Sequence, residues 1–273
     1  MSRRVRPSGS PEDVQARRHI ILIHGFHNSK DRAQKSYAVF LEQMRGVMPA
    51  GRFGRLGAVW PFYWPGNHPN RLISIASYSA RVSDAGEAGR LLAEYLAGLR
   101  HRPEVCLVAH SLGCRVALET VARIREVGGA YHGARITEVC LLAAAVPVVR
   151  CRSPYAFAAA LPKSREHVFH SRRDLALRLG FRPGQGIYGE SGRAVGRDGL
   201  PARRWTTTTD TRLRHSQYWG SRDVAREIAD HLGLTTSRRL VTRIIGAEPI
   251  ADQEWTINGR ILPSRLPPSR RVD

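Results

Sequence analysis

Residues 104–121 read Glu-Val-Cys-Leu-Val-Ala-His-Ser-Leu-Gly-Cys-Arg-Val-Ala-Leu-Glu-Thr-Val, and the change of period inside this stretch decides the fold. Val105 to Ala109 is an apolar run of the kind that forms a strand buried on both faces. The run breaks at His110-Ser111-Leu112-Gly113, after which Leu112, Val116, Leu118, Val121 and Ile124 recur at helical spacing. A strand, a tight turn and a helix with a serine at the apex is the G-x-S-x-G arrangement, which lifts a hydroxyl above a sheet edge. Small residues must flank that serine because strand and helix approach closely there. Ala109 takes the first small position, where glycine is the consensus, and Gly113 takes the second.

A second strand ending points the same way. Residues 18–29 read Arg-His-Ile-Ile-Leu-Ile-His-Gly-Phe-His-Asn-Ser, with a buried-strand run over 20–24 that stops at His24-Gly25-Phe26. In serine enzymes built on such a turn, the oxyanion hole takes one backbone N–H from the residue after the serine and one from the loop after an earlier strand. Leu112 and Phe26 are those two donors in this reading. Gly25 lets the backbone turn where a Cβ would clash.

The chain resembles a bacterial α/β-hydrolase family of unknown function. The resemblance rests on Ile21 to Ser29, Trp60 to Gly66 (Trp-Pro-Phe-Tyr-Trp-Pro-Gly), Ala109 to Cys114, Ser171-Arg-Arg-Asp174 and His215-Ser-Gln-Tyr218, and it covers roughly residues 18–233. Members of that family read similarly, with a strand ending in His-Gly-Phe, a Trp-Pro, an Ala-His-Ser-Met-Gly turn, a late Asp and a His-Ser-x-Tyr. It implies the fold and a Ser-Asp-His triad but no substrate. Leu112 stands where Met is common, which leaves the backbone donor unchanged.

The fold class also follows from the pattern alone. Strand-like runs at 20–24, 56–60, 105–109, 137–142 and 166–169 alternate with helical patterns near 34–48, 75–100, 112–126, 154–162 and 221–232. This alternation predicts an α/β domain over 18–235: a mostly parallel central sheet, helices on both faces and no large cap domain. Val139 to Val146 carries no polar alternation and reads as a central strand. Residues 1–17 read as a flexible tail, and 236–273 as a basic extension containing Pro249, Pro263, Pro267 and Pro268.

The partners of Ser111 must follow it in the order acid, then histidine. Glu166 to His170 reads as a short strand, and Asp174 lies in the loop that leaves it, where the acid belongs. Asp174 also suits the N-terminus of a helix over 174–179, and Asp198 and Asp210 are the other candidates. Only two histidines follow Asp174. His231 sits within the amphipathic pattern of the last helix, whereas His215 lies in the polar loop before it, so His215 is the expected base. These residues imply attack on a carbonyl by Ser111, proton uptake by His215 held in one tautomer by Asp174, and an acyl-enzyme. No cofactor is called for, and no ligand spacing suggests a metal.

Trp60, Trp64, His27 and His110 are the expected pocket neighbours, within or beside a stiff aromatic loop and the two turns. Residues 180–210, rich in glycine, read as a lid or a long connection between acid and histidine. Cys106, Cys114, Cys140 and Cys151 fall in or beside buried elements, which with the absence of a signal sequence suggests free thiols and a cytoplasmic location.

The formal net charge is +20, from 43 basic and 23 acidic residues. The surplus lies mainly between the tails and favours anionic partners, such as lipid headgroups or other polyanions. Signatures of dedicated nucleic-acid binding are missing, and oligomeric state is not legible. The reading is therefore a serine hydrolase acting on a small acyl ester. Its alternatives are a catalytically silent binding protein on the same fold, and a lipid-directed esterase or phospholipase recruited to anionic membranes.

Overall fold

The structure is a computed structural model. It describes residues 15–66, 74–127, 133–151, 157, 165–179, 181, 192–201 and 206–235, and the strands at 255–257 and 260–262; for 74–79, 127 and those two strands it describes the backbone alone. Six strands form one sheet: β1 (Arg18–Ile23), β2 (Ala58–Phe62), β3 (Glu104–His110), β4 (Arg135–Leu142), β5 (Arg165–His170) and β6 (Thr206–Asp210). Their order is β2-β1-β3-β4-β5-β6 and every neighbouring pair is parallel. The helices are α1 (Lys30–Val47), α2 (Ser74–Ala97), α3 (Gly113–Val127), the short α4 (Leu175–Leu179) and α5 (Val195–Asp198), and α6 (Arg222–His231).

The strand order reverses once. The chain steps from β1 outward to β2, then returns past β1 to β3 and continues in that direction to β6. Right-handed crossovers place connections that run in opposite directions on opposite faces. Accordingly α1 packs with α6 and α2 packs with α3, so helices cover both faces. The reversal leaves the carboxyl ends of β1 and β3 side by side, with Ile23 paired to Ala109. Open sheets of this type form their crevice at such a switch point.

The core follows the apolar runs. Val105 to Ala109 and Val139 to Leu142 lie in the two central strands and are all buried. Each fully buried Val or Leu contributes about 1.5–3 kcal/mol. The helices carry their own signals: Ser29 caps α1 by accepting from Arg32 N, and Ser221 caps α6 by accepting from Val224 N.

The expected parallel α/β architecture is present, and several boundaries differ. β2 runs on past Trp60, where the sequence pattern ends the strand, through Pro61 and Phe62. Pro61 is tolerated because β2 is an edge strand, where one side needs no ladder hydrogen bond. β4 ends at Leu142, and Ala143 turns away with φ 47° rather than extending the strand to Val146. Within 180–210, taken as loop or lid, the chain forms α5 and a sixth strand, β6. Most of the helix expected at 154–162 lies outside the described residues; Phe157 is helical and buried. Among the described residues no further domain interrupts the sheet, and no helix there is long and apolar enough to cross a membrane.

The chain divides into a unit of Met1–Thr236 and one of Ser237–Asp273. In the second unit β7 (Trp255–Ile257) pairs antiparallel with β8 (Arg260–Leu262), in a stretch where sequence suggested no regular element. The four cysteines are buried free thiols.

Candidate active site

Ser111 sits where β3 gives way to α3, in the left-handed backbone region at φ 54°. For a residue with a side chain this conformation is strained and persists only where neighbours impose it. Here they do so through the backbone. Ser111 N donates to Leu142 O at 2.9 Å, and Ser111 O accepts from Ala145 N and Cys114 N, each at 3.1 Å. β4 and α3 thus grip the turn from both sides.

Two glycines allow the close approach. A Cβ on Gly113 would lie 2.3 Å from His24 O, so only glycine lets α3 start against the end of β1. A Cβ on Gly25 would lie 2.7 Å from Ser111 Cβ. The loop after β1 and the serine turn are therefore in direct contact, and Phe26 and Leu112, the next residue of each, are the two expected oxyanion donors. Leu112 N–H has no backbone acceptor among the described residues. Phe26 is half-buried and its ring centroid lies 3.8 Å from that of His27.

The structure brings Ser111, His215 and Asp174 into one hydrogen-bonded row. His215 Nδ1–H donates to Asp174 Oδ2 at 2.7 Å. Ser111 Oγ–H donates to His215 Nε2 at 2.9 Å. A carboxylate only accepts, so it fixes the proton on Nδ1 and leaves Nε2 free to accept from the serine. Asp174 is fully buried between β5 and α4, and its Oδ1 caps α4 by accepting from Leu177 N at 3.0 Å. The capping role foreseen for this residue and its contact with the imidazole thus use different oxygens of the same carboxylate.

His215 rides on the loop between β6 and α6, and that loop is tied down. His110 Nε2–H donates to His215 O at 2.7 Å, and the two rings lie 5.0 Å apart. Burial first, and the neighbouring His215 second, push the His110 pKa down to about 3, so its ring is neutral. Thr211 Oγ1 donates to His170 O at 3.1 Å and contacts Tyr218 Oη at 3.3 Å. Tyr218 is fully buried, and burial raises its pKa well above the ordinary tyrosine range.

The other expected neighbours divide. His27 adopts φ 58° in the loop after β1, and its N–H donates to Gly66 O at 2.9 Å. Trp64 is buried: its indole N–H donates to His24 O at 2.8 Å and its ring stacks on the His24 ring. It supports the rim from within. Trp60 lies away from Ser111, on β2 with its ring 5.9 Å from that of His19 near the amino end of β1. The sequence pattern ends β2 at Trp60 and so predicts a rim position, whereas the strand continues to Phe62. Asp198 pairs with Arg197 and Arg193, Asp210 accepts from Arg212 N, and His231 stacks on His167 at 3.5 Å, so none of the three joins the row.

Sequence reasoning missed one polar cluster lower on the sheet. His167 bonds Glu138 Oε2 at 2.8 Å and Thr207 Oγ1 at 2.7 Å, and Arg165 reaches the other oxygen of Glu138. Glu138, His167 and the neighbouring Glu166 are buried. Two adjacent polar residues, Glu166 and His167, in a strand that the sheet buries were the available signal. Among the described residues no group of three or more His, Cys, Asp or Glu is arranged to hold a metal ion.

Several solved structures are similar. The putative hydrolase from Agrobacterium vitis S4 matches with 11% identity and a TM-score of 0.48, over 82% of this chain and 90% of that one. An uncharacterized protein from Bacillus cereus ATCC 10987 matches with 10% identity and a TM-score of 0.45 over 85% of this chain, which spans 63% of that chain's length. Esterase B from Lactobacillus rhamnosis matches with 12% identity and a TM-score of 0.40, over 80% and 76% of the two chains. No curated protein sequence matches. The model of one family, described as α/β hydrolase of unknown function (DUF900), matches residues 12–188, which include Ser111 and Asp174 and stop before His215. The chain belongs to that α/β-hydrolase family.

Proposed function

We propose that the chain is a serine hydrolase that cleaves carboxylic esters through an acyl-enzyme. One observation carries the reading: a serine at φ 54° whose hydroxyl lies 2.9 Å from an imidazole that is itself bonded to a buried carboxylate at 2.7 Å. A serine hydroxyl is a weak nucleophile until an adjacent base takes its proton.

In the first half-reaction Ser111 Oγ attacks the ester carbonyl carbon while His215 Nε2 takes the hydroxyl proton. Asp174 stabilises the imidazolium through Nδ1–H. The carbonyl oxygen gains negative charge and is received by the N–H groups of Leu112 and Phe26, each such donor being worth about 10²–10³ in rate. The tetrahedral intermediate collapses, the C–O bond to the alcohol breaks, and His215 returns its proton to the leaving oxygen. In the second half-reaction water loses a proton to His215, attacks the acyl carbon and releases the acid, and Ser111 regains its proton. The neutral, buried His110 supports this cycle by holding the His215 loop without adding a competing charge.

A fluorophosphonate probe tests the assignment, since only an activated serine is phosphonylated. Labelling confined to Ser111, lost in Ser111→Ala and strongly reduced in His215→Ala, is the expected result. Turnover of p-nitrophenyl esters by Ser111→Ala at the parent rate overturns the reading.

A further inference from the structure

The loops that carry Asp174 and His215 are also rich in exposed arginine. Arg172 and Arg173 lie between β5 and Asp174, and Arg212 and Arg214 flank the approach to His215; all four are exposed. β5 and β6 are parallel neighbours, so both loops leave the same edge of the sheet, joined where Thr211 N donates to His170 O at 2.9 Å. None of these arginines, nor Arg178 on α4, has a carboxylate partner among the described residues. Elsewhere on the described surface Arg81, Arg90, Arg123, Arg135 and Arg226 are paired, while Arg32, Arg55, Arg100 and Arg102 are exposed without a carboxylate partner among the described residues but have no exposed leucine pair beside them.

The same edge exposes apolar surface. Leu175 and Leu179 of α4 are 59% and 70% exposed, the largest values among the exposed large hydrophobic residues that the structure describes. Four residues apart, they share one face of the helix. Leu177, on the other face, is buried and anchors α4 in the core. Isolated exposed leucines need no explanation, but two together on a helix flanked by Arg172, Arg173 and Arg178, which have no carboxylate partner among the described residues, make an amphipathic surface.

The geometry points to this edge as a docking face for a lipid bilayer that contains anionic phospholipid. The arginines contact headgroup phosphates while Leu175 and Leu179 enter the boundary between headgroups and acyl chains, the division of labour of interfacial membrane contacts. A nucleic acid answers the charge equally well and has no use for the leucines, so the bilayer is the better fit. Docking here brings the mouth of the Ser111 site to the membrane plane, and on the hydrolase reading given above the substrate is then a lipid ester presented from that plane.

Binding is separable from turnover and is measured with the Ser111→Ala chain. It is sedimented with vesicles of phosphatidylcholine, and with vesicles of phosphatidylcholine and phosphatidylglycerol in equal amounts. Binding to the anionic vesicles alone, released by about 0.5 M NaCl through screening, is expected. Arg172→Gln with Arg173→Gln and Arg178→Gln should lower the partition about a hundredfold, taking about fivefold for each arginine. Leu175→Ser with Leu179→Ser should lower it at least about tenfold while the melting temperature stays that of the parent.

Equal binding to both vesicles, no binding to either, or a leucine variant that binds like the parent overturns the proposal. In the last case, displacement by RNA assigns the patch to polyanions in general. A parent chain that sediments as a dimer and becomes a monomer in the leucine variant also overturns it, because a second copy then covers the face. Phosphonate labelling of the parent reports on Ser111 independently, so failure of the hydrolase reading and failure of docking give different results.

Discussion

Asp174 holds His215 with one carboxylate oxygen and the start of α4 with the other, at 2.7 Å and 3.0 Å. A residue fixed at both oxygens cannot rotate away from the imidazole without also uncapping a helix, which pre-orients the ring before any substrate arrives. The double attachment makes its two roles separable by substitution.

Asp174→Asn keeps an oxygen for Leu177 N but presents an amide N–H to His215 Nδ1, which forces the proton onto Nε2. Turnover should fall about 10⁴-fold, by analogy with the same change in other triads, with little change in melting temperature. Asp174→Ala loses the cap as well and should cost about 1 kcal/mol more in a urea titration. Equal stability of the two variants would show that the cap contributes nothing.

Ser111→Ala should lower ester turnover by about 10⁶, and His215→Ala by a similar factor, because residues acting as one unit lose almost everything together. The double variant should be no slower than either single one. Steady-state rates on one ester, measured for all three, decide this.

His110→Phe keeps the ring and removes the donor to His215 O. That part-buried carbonyl then loses its partner, at a cost of about 1 kcal/mol. The expected signature is a lower kcat with phosphonate labelling retained but slowed, since the base is displaced rather than lost. Unchanged kinetics would assign His110 to packing alone.

Gly25→Ala places a methyl 2.7 Å from Ser111 Cβ, closer than such atoms come. Either the loop after β1 or the serine turn must shift, with a cost of about 1–3 kcal/mol for overpacking. Activity should fall further than stability does, because the displaced segment carries one of the oxyanion donors. Melting and turnover measured on the same preparation compare the two.

Acid should weaken the fold through histidines that are kept neutral. Burial, the stacked His167 ring and Arg165 lower the His231 pKa to about 3, and His110 is similarly placed, against 6.5 for a free histidine. Between those limits the unfolded chain binds more protons, so stability falls as pH drops below about 6.5. His231→Gln should reduce the loss between pH 7.5 and pH 5 by about 1 kcal/mol, read from urea midpoints. An unchanged pH slope would place the acid sensitivity elsewhere.

What could be read from sequence followed the physics of burial. β3 and its serine turn were legible because a strand buried on both faces must be apolar and the turn demands small flanking residues. Asp174 and His215 were candidates chosen by chain order and loop position, and the structure places both beside Ser111. β6 was not legible: Thr206 to Asp210 has no apolar alternation, because its side chains bond to Glu166, Leu200 O and Glu227 instead of filling a core. Trp60 was misplaced because Pro61 reads as a strand terminator, a rule that edge strands relax. The β7–β8 pair also had a signal, since Asn258-Gly259 is the dipeptide that two-residue hairpins favour.

The threonine-built β6 has a thermal consequence. It is an outermost strand with one neighbour, only one of its five residues is buried, and the His215 loop hangs from its end. Strands of that kind open locally at far lower free energy than central ones. On warming, the imidazole should part from the alcohol while the rest of the sheet is still intact. Heat inactivation should then precede the calorimetric transition and reverse on cooling, with amides of 206–210 exchanging ahead of those in β3.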